Sequence, residues 1–236
     1  KENIKGYSPE AMAPICGIPA ERLREVAREF AKSKASMILW GMGISQHVHG
    51  TDNARCLIAL VSITGQIGKP GSGLHPLRGQ NNVQGSADMG VQPHQGAGYL
   101  DITKDDVNKK YNAFYGAEVP KHIGYKIPEM FDAALKGKLK AIWIIGEDVV
   151  QTDPNTQKVI KALEATDLVI VQELFMTETA KYADVILPGA SFLEKSGTFT
   201  NGERRVQAVR EVVKPIEGAK PDGQIIVDIM IIKPQF

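Results

Sequence analysis

The chain has 236 residues, a formal charge of +1 at pH 7, 43% hydrophobic and 23% charged residues, and two cysteines. That length allows one large domain or two small ones, with enough apolar content for a globular core. A charge so near zero gives no case for nucleic acid or an acidic membrane surface, no run is long enough to enter and span a bilayer, and two cysteines make no disulfide framework.

The expected elements alternate along the chain. Pro19, Ala20 and Glu21 open an amphipathic helix with Leu23, Val26, Ala27 and Phe30 at helical spacing. Residues 37–40 form a short apolar run, read as a buried strand that Gly41 and Gly43 end. Residues 53–64 read as a helix with Ala54, Leu57, Ile58, Val61 and Ile63 buried and Cys56 as a small core residue. From 65 to about 125 the chain is rich in Gly, Pro, Asn and Gln. Such a stretch is expected to be irregular, functional and the hinge between two lobes. Beyond it, helices over 128–136, 155–164, 177–182 and 223–230 alternate with strands over 140–145, 168–171 and 184–187. Residues 200–205 make a polar, solvated turn into 206–209, and Gly202 suggests a hairpin-like connection. Strands alternating with helices predict a parallel sheet covered on both faces, with ligands at the carboxyl ends of the strands.

Three groups of residues fall where that rule puts a ligand. Gly41, Met42, Gly43 and Gln46 occupy a strand-to-helix turn, where glycines allow close backbone approach and a helix N-terminus favours an anion. Gly146, Glu147 and Asp148, with Gln172 and Glu173, end two successive strands. Carboxylates there suit a guanine edge or ribose hydroxyls; the competing role is capping of the following helices, open to Asp148 and Asp153. Thr177 and Thr179 either complete that pocket or cap the next turn, and Asp184 opens a strand at the opposite end. The third group is the run from Leu77 to Gly85, which packs Arg78 among Gln80, Asn81, Asn82 and Gln84. It has no apolar face to bury, and it suits a ligand rich in hydrogen-bonding groups with one small anion beside it. Asn81, Asn82 and Gln84 read as groups that fix the loop. His47 and His49 form an HxH pair with no third ligand in evidence, and His75, His94 and His122 stand alone.

In order and spacing, residues 40–46 (WGMGISQ), 64–73 (TGQIGKPGSG), 77–85 (LRGQNNVQG), 88–90 (DMG), 145–148 (IGED) and 183–188 (ADVILP) resemble the catalytic subunits of formate dehydrogenases, within the molybdopterin oxidoreductase family. The run 77–85 is the specific part, and the resemblance extends from about Tyr7 to about Asp228. It implies Rossmann-like parallel α/β sheets with helices on both faces, in incomplete molybdopterin-binding domains like those of formate dehydrogenase and DMSO reductase. Residues 1–78 would end one dinucleotide-binding lobe, 79–127 would be an irregular cofactor and substrate region, and 128–236 a second lobe. The implied reaction is oxidation of formate to carbon dioxide at a bis-molybdopterin guanine dinucleotide holding Mo or W. Arg78 would be the catalytic residue, a guanidinium fork for the planar carboxylate. Met42, Gly43, Gln46, Gln80, Gly146, Glu147, Asp148, Thr152, Gln172, Glu173 and Thr177 would bind the cofactor. An iron–sulfur electron-transfer subunit is the implied partner, formate the substrate and the cytoplasm or periplasm the compartment.

Members of this family are longer. They begin with a cysteine motif for a [4Fe-4S] cluster and carry a Cys or selenocysteine, followed by His, as the metal ligand. Cys16 and Cys56 are each followed by another residue and lie too far apart for a cluster motif, so an interior segment of such a subunit is expected. His94 stands where the family pattern has Asn, and residues 231–236 do not match the usual continuation. Two alternatives accompany this reading: another molybdopterin oxidoreductase acting on a different oxyanion, and a non-catalytic scaffold that binds the pterin nucleotide.

Overall fold

The computed structural model describes residues 4–231; the expectation about the C-terminal tail falls, beyond Ile231, outside them. The chain forms two compact units that divide in sequence between Asn81 and Asn82.

The first unit opens with α1 (Pro9–Cys16), which the composition gives little hint of. Its local signals are nonetheless complete. Ser8 Oγ accepts from the Ala11 amide, Pro9 takes the first turn, and Gly17 ends the helix in the left-handed conformation. Then follow α2 (Ala20–Lys32), β1 (Met37–Trp40), the single turn α3 (Met42–Ser45), α4 (Gly50–Ile63) and β2 (Gly73–Pro76). β1 and β2 pair in parallel, with Met37 opposite Gly73 and Trp40 opposite Pro76. α4 is thus the crossover that parallel strands require. It starts three residues earlier than its apolar pattern because Gly50 can pass against the Ser45 backbone, where a Cβ would collide.

Burial in this unit departs from the sequence reading. Of the α4 residues expected in the core, Val61 is fully buried, while Ile58 and Ile63 are exposed, as is Cys56. The apolar face of α2 buries none of its residues completely. What ties the unit together instead is Gln66, only 1% exposed. Its Oε1 accepts from the Ser36 amide at 2.9 Å, and its Nε2 donates to the carbonyls of Phe30 and Ser33 at 3.2 and 2.8 Å. One carboxamide therefore closes the C-terminal end of α2, whose last carbonyls lack intrahelical partners.

The second unit begins with α5 (Val83–Asp88), the small pair β3 (Gln95–Gly96) and β4 (Leu100–Asp101), and α6 (Asp105–Tyr115). These elements lie inside the stretch expected to be irregular. α6 has Asp105 and Asp106 in its first turn and Gly116 as a left-handed cap. Its apolar spacing is too sparse, Val107 and Tyr111 alone being buried apolar residues, to announce a helix against a background of Gly and Asn. Next come α7 (Ile127–Leu135), β5 (Ala141–Ile145), the short α8 (Val149–Thr152), α9 (Thr156–Glu164), β6 (Leu168–Glu173), a 3₁₀ turn (Thr179–Tyr182) and β7 (Val185–Pro188). The order β5-β6-β7 is parallel throughout, with Ile145 opposite Gln172 and Gln172 opposite Leu187.

The core of this unit lies on one face of that sheet. Ile142, Ile144, Val169 and Val171 pack against Phe131 and Ala134 of α7, Val149 and Val150 of α8, and Val159, Ala162 and Leu163 of α9. Alternate strand residues point the other way, where Trp143 and Ile170 are half-buried. β8 (Gly197–Thr200) and β9 (Val206–Val209) form an antiparallel hairpin, as Gly202 suggested, and α10 (Asp222–Ile231) closes the described chain. At the hairpin tip, Asn201 Oδ1 accepts from the amides of Glu203 and Arg205, and Arg204 takes a positive φ of 62°.

Candidate functional site

Each unit presents its singled-out residues at the carboxyl end of a parallel sheet. In the first unit, β1 runs into Gly41 and α3, so that Met42, Gly43 and Gln46 follow the strand end directly. Met42 is half-exposed, and the Gln46 amide donates to its carbonyl. His47 folds back here, with Nε2 2.7 Å from the Gly43 carbonyl. β2 ends alongside at Pro76, and the next amide, Leu77, donates to the Trp40 carbonyl at 2.7 Å. Arg78 and Gln80 therefore leave the sheet at the same edge as Met42 and Gln46. Both are exposed. Among the described residues, the Arg78 guanidinium makes no hydrogen bond or ion pair.

In the second unit, the parallel register brings Gly146, Gln172 and Glu173 together, and the Gly146 amide donates to the Gln172 carbonyl at 2.9 Å. Gly146 has a φ of 63°, the left-handed turn that redirects the chain off the strand without a Cβ. These residues line a cavity of about 320 Å³ together with Gly189, Ser191, Lys195 and Asp222. Gln172 is 1% exposed. Its Nε2 donates to Asp222 Oδ1 at 2.7 Å, Lys195 Nζ pairs with Asp222 Oδ2, and its own Oε1 is buried without a partner among the described residues. A buried acceptor with no donor carries a desolvation cost that an incoming N–H would relieve.

Other singled-out residues bond within the turns around the cavity, and Glu173 does so while also lining it. Asp148 Oδ1 accepts from both the amide and the hydroxyl of Thr179, at 2.9 and 2.6 Å. Thr179, fully buried, in turn accepts from the Val150 amide at 3.1 Å. This acid thus joins the turn after β5 to the 3₁₀ turn after β6. The Thr152 hydroxyl donates to Glu147 at 2.5 Å, Glu173 accepts from the Leu174 amide at 2.6 Å, and Thr177 Oγ1 accepts from the Ala180 amide at 3.3 Å. At the opposite end of the sheet, Asp184 accepts from the Val169 amide at 2.7 Å. Lys195 and Asp222 were missed by sequence reading. They lie 23 and 50 residues beyond Gln172, and only the pairing of β6 with β7 and the bridge from Gly189 to Lys220 bring them to it. Among the described residues, no group of three His, Cys, Asp or Glu side chains is arranged to hold a metal ion, and no helix is long and apolar enough to cross a membrane.

Parallel strands joined by helices, with polar side chains gathered at the carboxyl ends, define an α/β protein. The chain belongs to the molybdopterin oxidoreductase family, whose model matches residues 17–231. It is 44% identical to formate dehydrogenase H of Escherichia coli (strain K12), over 96% of this chain and 32% of that protein. It is 43% identical to the F420-dependent formate dehydrogenase subunit alpha of Methanocaldococcus jannaschii, over 99% of this chain and 33% of that subunit. The chain thus spans about a third of the length of the curated relatives it matches. The solved structure of acetylene hydratase from Pelobacter acetylenicus superimposes with a TM-score of 0.68 at 21% identity, over 96% of this chain and 34% of that one; at this identity the likeness is one of fold.

Proposed function

We propose that this chain is part of the catalytic subunit of a formate dehydrogenase and that Arg78 binds formate. The observation that carries the reading is the Arg78 guanidinium, without a partner among the described residues and held two residues past a strand end, next to the Leu77–Trp40 bond. A guanidinium fork accepts a planar carboxylate through two charge-assisted hydrogen bonds, which would orient the formate C–H bond. Relatives that bear the name formate dehydrogenase, matching nearly all of this chain, support the same reading.

The residues present suit a molybdopterin guanine dinucleotide. Guanine donates through N1–H and N2–H₂, and the buried Gln172 Oε1, with the Asp222 and Glu173 carboxylates lining the same cavity, is a set of acceptors. In this proposal Gly146, Glu147, Asp148, Thr152, Gln172, Glu173 and Thr177 form one nucleotide end. Met42, Gly43, Gln46 and Gln80 serve the cofactor at the other strand edge. When bound, the pterin-held Mo or W supplies the two-electron redox chemistry. Formate loses a proton and two electrons to become carbon dioxide; the chain's own part is to bind and orient it. A [4Fe-4S] cluster elsewhere in the full-length subunit, an iron–sulfur partner and a cytoplasmic location complete the proposal, with 79–127 as its substrate and cofactor stretch.

The test is substrate-dependent reduction of a viologen dye by the full-length, metal-loaded protein. Reduction driven by formate is expected. Activity on a different oxyanion with none on formate would move the chain to another branch of its family.

A further inference from the structure

We infer that Asn53 is a positioning residue for the turn Met42–Gln46, acting from α4 as the donor that holds α3 at the end of β1; this rests on Met42, Gly43 and Gln46 serving the cofactor. Every residue involved lies in the first unit. A helix of one turn cannot satisfy its own last carbonyls, because the amides that would reach them lie beyond its end. α3 is such a helix. The Gln46 amide donates to the Met42 carbonyl at 2.8 Å, and among the described residues no later amide continues the ladder.

Side chains take over from there. His47 Nε2 donates to the Gly43 carbonyl at 2.7 Å, and Asn53 Nδ2 donates to the Ile44 carbonyl at 3.0 Å. In a longer helix the amides of residues 47 and 48 would fill these two places. The two donors differ in what they are fixed to. His47 is exposed and only four residues from the carbonyl it meets, so it moves with the turn it caps. Asn53 is half-buried, nine residues from Ile44, and stands in the first turn of α4, the crossover between β1 and β2.

The Asn53 bond is therefore the one that ties α3 to a long element. Gly50 makes it possible. It is buried, and a Cβ there would collide with the Ser45 carbonyl, so glycine lets α4 begin close enough for Asn53 to reach Ile44. The side chains of Met42 and Gln46 stay exposed at the strand end while His47 and Asn53 hold the carbonyls between them. Asn53 thus acts on the cofactor through the backbone of the turn.

The test is Asn53→Asp in the full-length protein. Aspartate has the same size, cannot donate when ionised, and is favoured in the first turn of a helix, so α4 keeps its stability while the bond is lost. An unchanged melting temperature is expected, with faster deuterium exchange at the Gln46 amide. Release of the molybdopterin nucleotide, followed as Mo or W bound per chain in mild urea, is expected to quicken about 2- to 10-fold, the worth of one hydrogen bond. Asn53→Ala, which introduces no charge, is expected to act in the same direction. Adding Asn53→Asp to the double variant Met42→Ala, Gln46→Ala is expected to quicken release no further. Unchanged Gln46 exchange, quickened exchange with wild-type cofactor release, a general loss of stability in both Asn53 variants, or a further loss in the triple variant would each overturn the inference while leaving the turn as a cofactor contact. Wild-type cofactor release by Met42→Ala, Gln46→Ala would overturn that assignment and the inference together.

Discussion

Gln66 and Gln172 are two buried carboxamides with opposite balances. Gln66 has its oxygen and nitrogen both satisfied, by groups from the α2 end and the segment after it. Replacing it with leucine would strand one amide and two carbonyls, and each stranded buried group costs about 1–3 kcal/mol, less where water reaches it. Gln66→Leu is therefore expected to lower stability by about 2–4 kcal/mol in denaturant unfolding of the protein, with no direct effect on ligand binding. Gln172 instead keeps a buried oxygen with no donor among the described residues, beside a cavity. The sequence showed both residues as polar but could not tell which was satisfied, because their partners come from elsewhere in the chain. Gly146, Gln172 and Glu173 were legible as a group because a strand end is visible locally and parallel pairing aligns such ends. Lys195 and Asp222 were not, because loops of no regular pattern carry them back to the sheet.

At the scale of elements, β5, β6, α7 and α9 matched their sequence patterns to within two residues. Each is a continuous apolar run or a periodic one bounded by turn residues. The order of burial was less legible in the first unit, where α4 is apolar over most of its surface but buries only Gly50 and Val61. Apolar residues say that a face wants cover; they do not say that this chain provides it. Where cover is provided, the cost of removing it should be large. Leu163, 2% exposed between α9 and the sheet, is expected to cost about 2–5 kcal/mol as Leu163→Ala, measured by chemical unfolding. The segment after β7 shows an electrostatic contribution. Glu194 accepts from the Ser191 amide at 2.8 Å, and this backbone bond, followed by the Ser191 side chain, holds its carboxyl below the ordinary glutamate range. A carboxyl depressed in the folded state stabilises above its unfolded pKa, about 4.3, and loses that contribution as the pH falls through the folded value. Glu194→Gln is therefore expected to show a smaller drop in stability between neutral and acidic pH than the parent protein.

Over the whole molecule, large apolar side chains remain uncovered in both units. Ile15, Val48 and Ile63 are more than three-quarters exposed in the first, and Phe114 and Phe175 in the second. The fold class and the family were within reach of the sequence because both rest on short patterns in fixed order. The internal order of the stretch around α5 and α6 was not, because it depends on side-chain bonds such as Asn82 to β8 and Gln84 to Tyr99 that no periodicity signals.

The proposed function requires that Arg78 bind the substrate carboxylate rather than serve as a structural support. The most direct measurement is the formate kcat/KM of full-length Arg78→Ala, taken with its Mo or W content. Removing two charge-assisted hydrogen bonds, each about 1.5–3 kcal/mol, is expected to lower kcat/KM at least about 100-fold with metal content unchanged. Wild-type turnover in the variant, or a loss of activity that merely follows a loss of metal, would contradict the account.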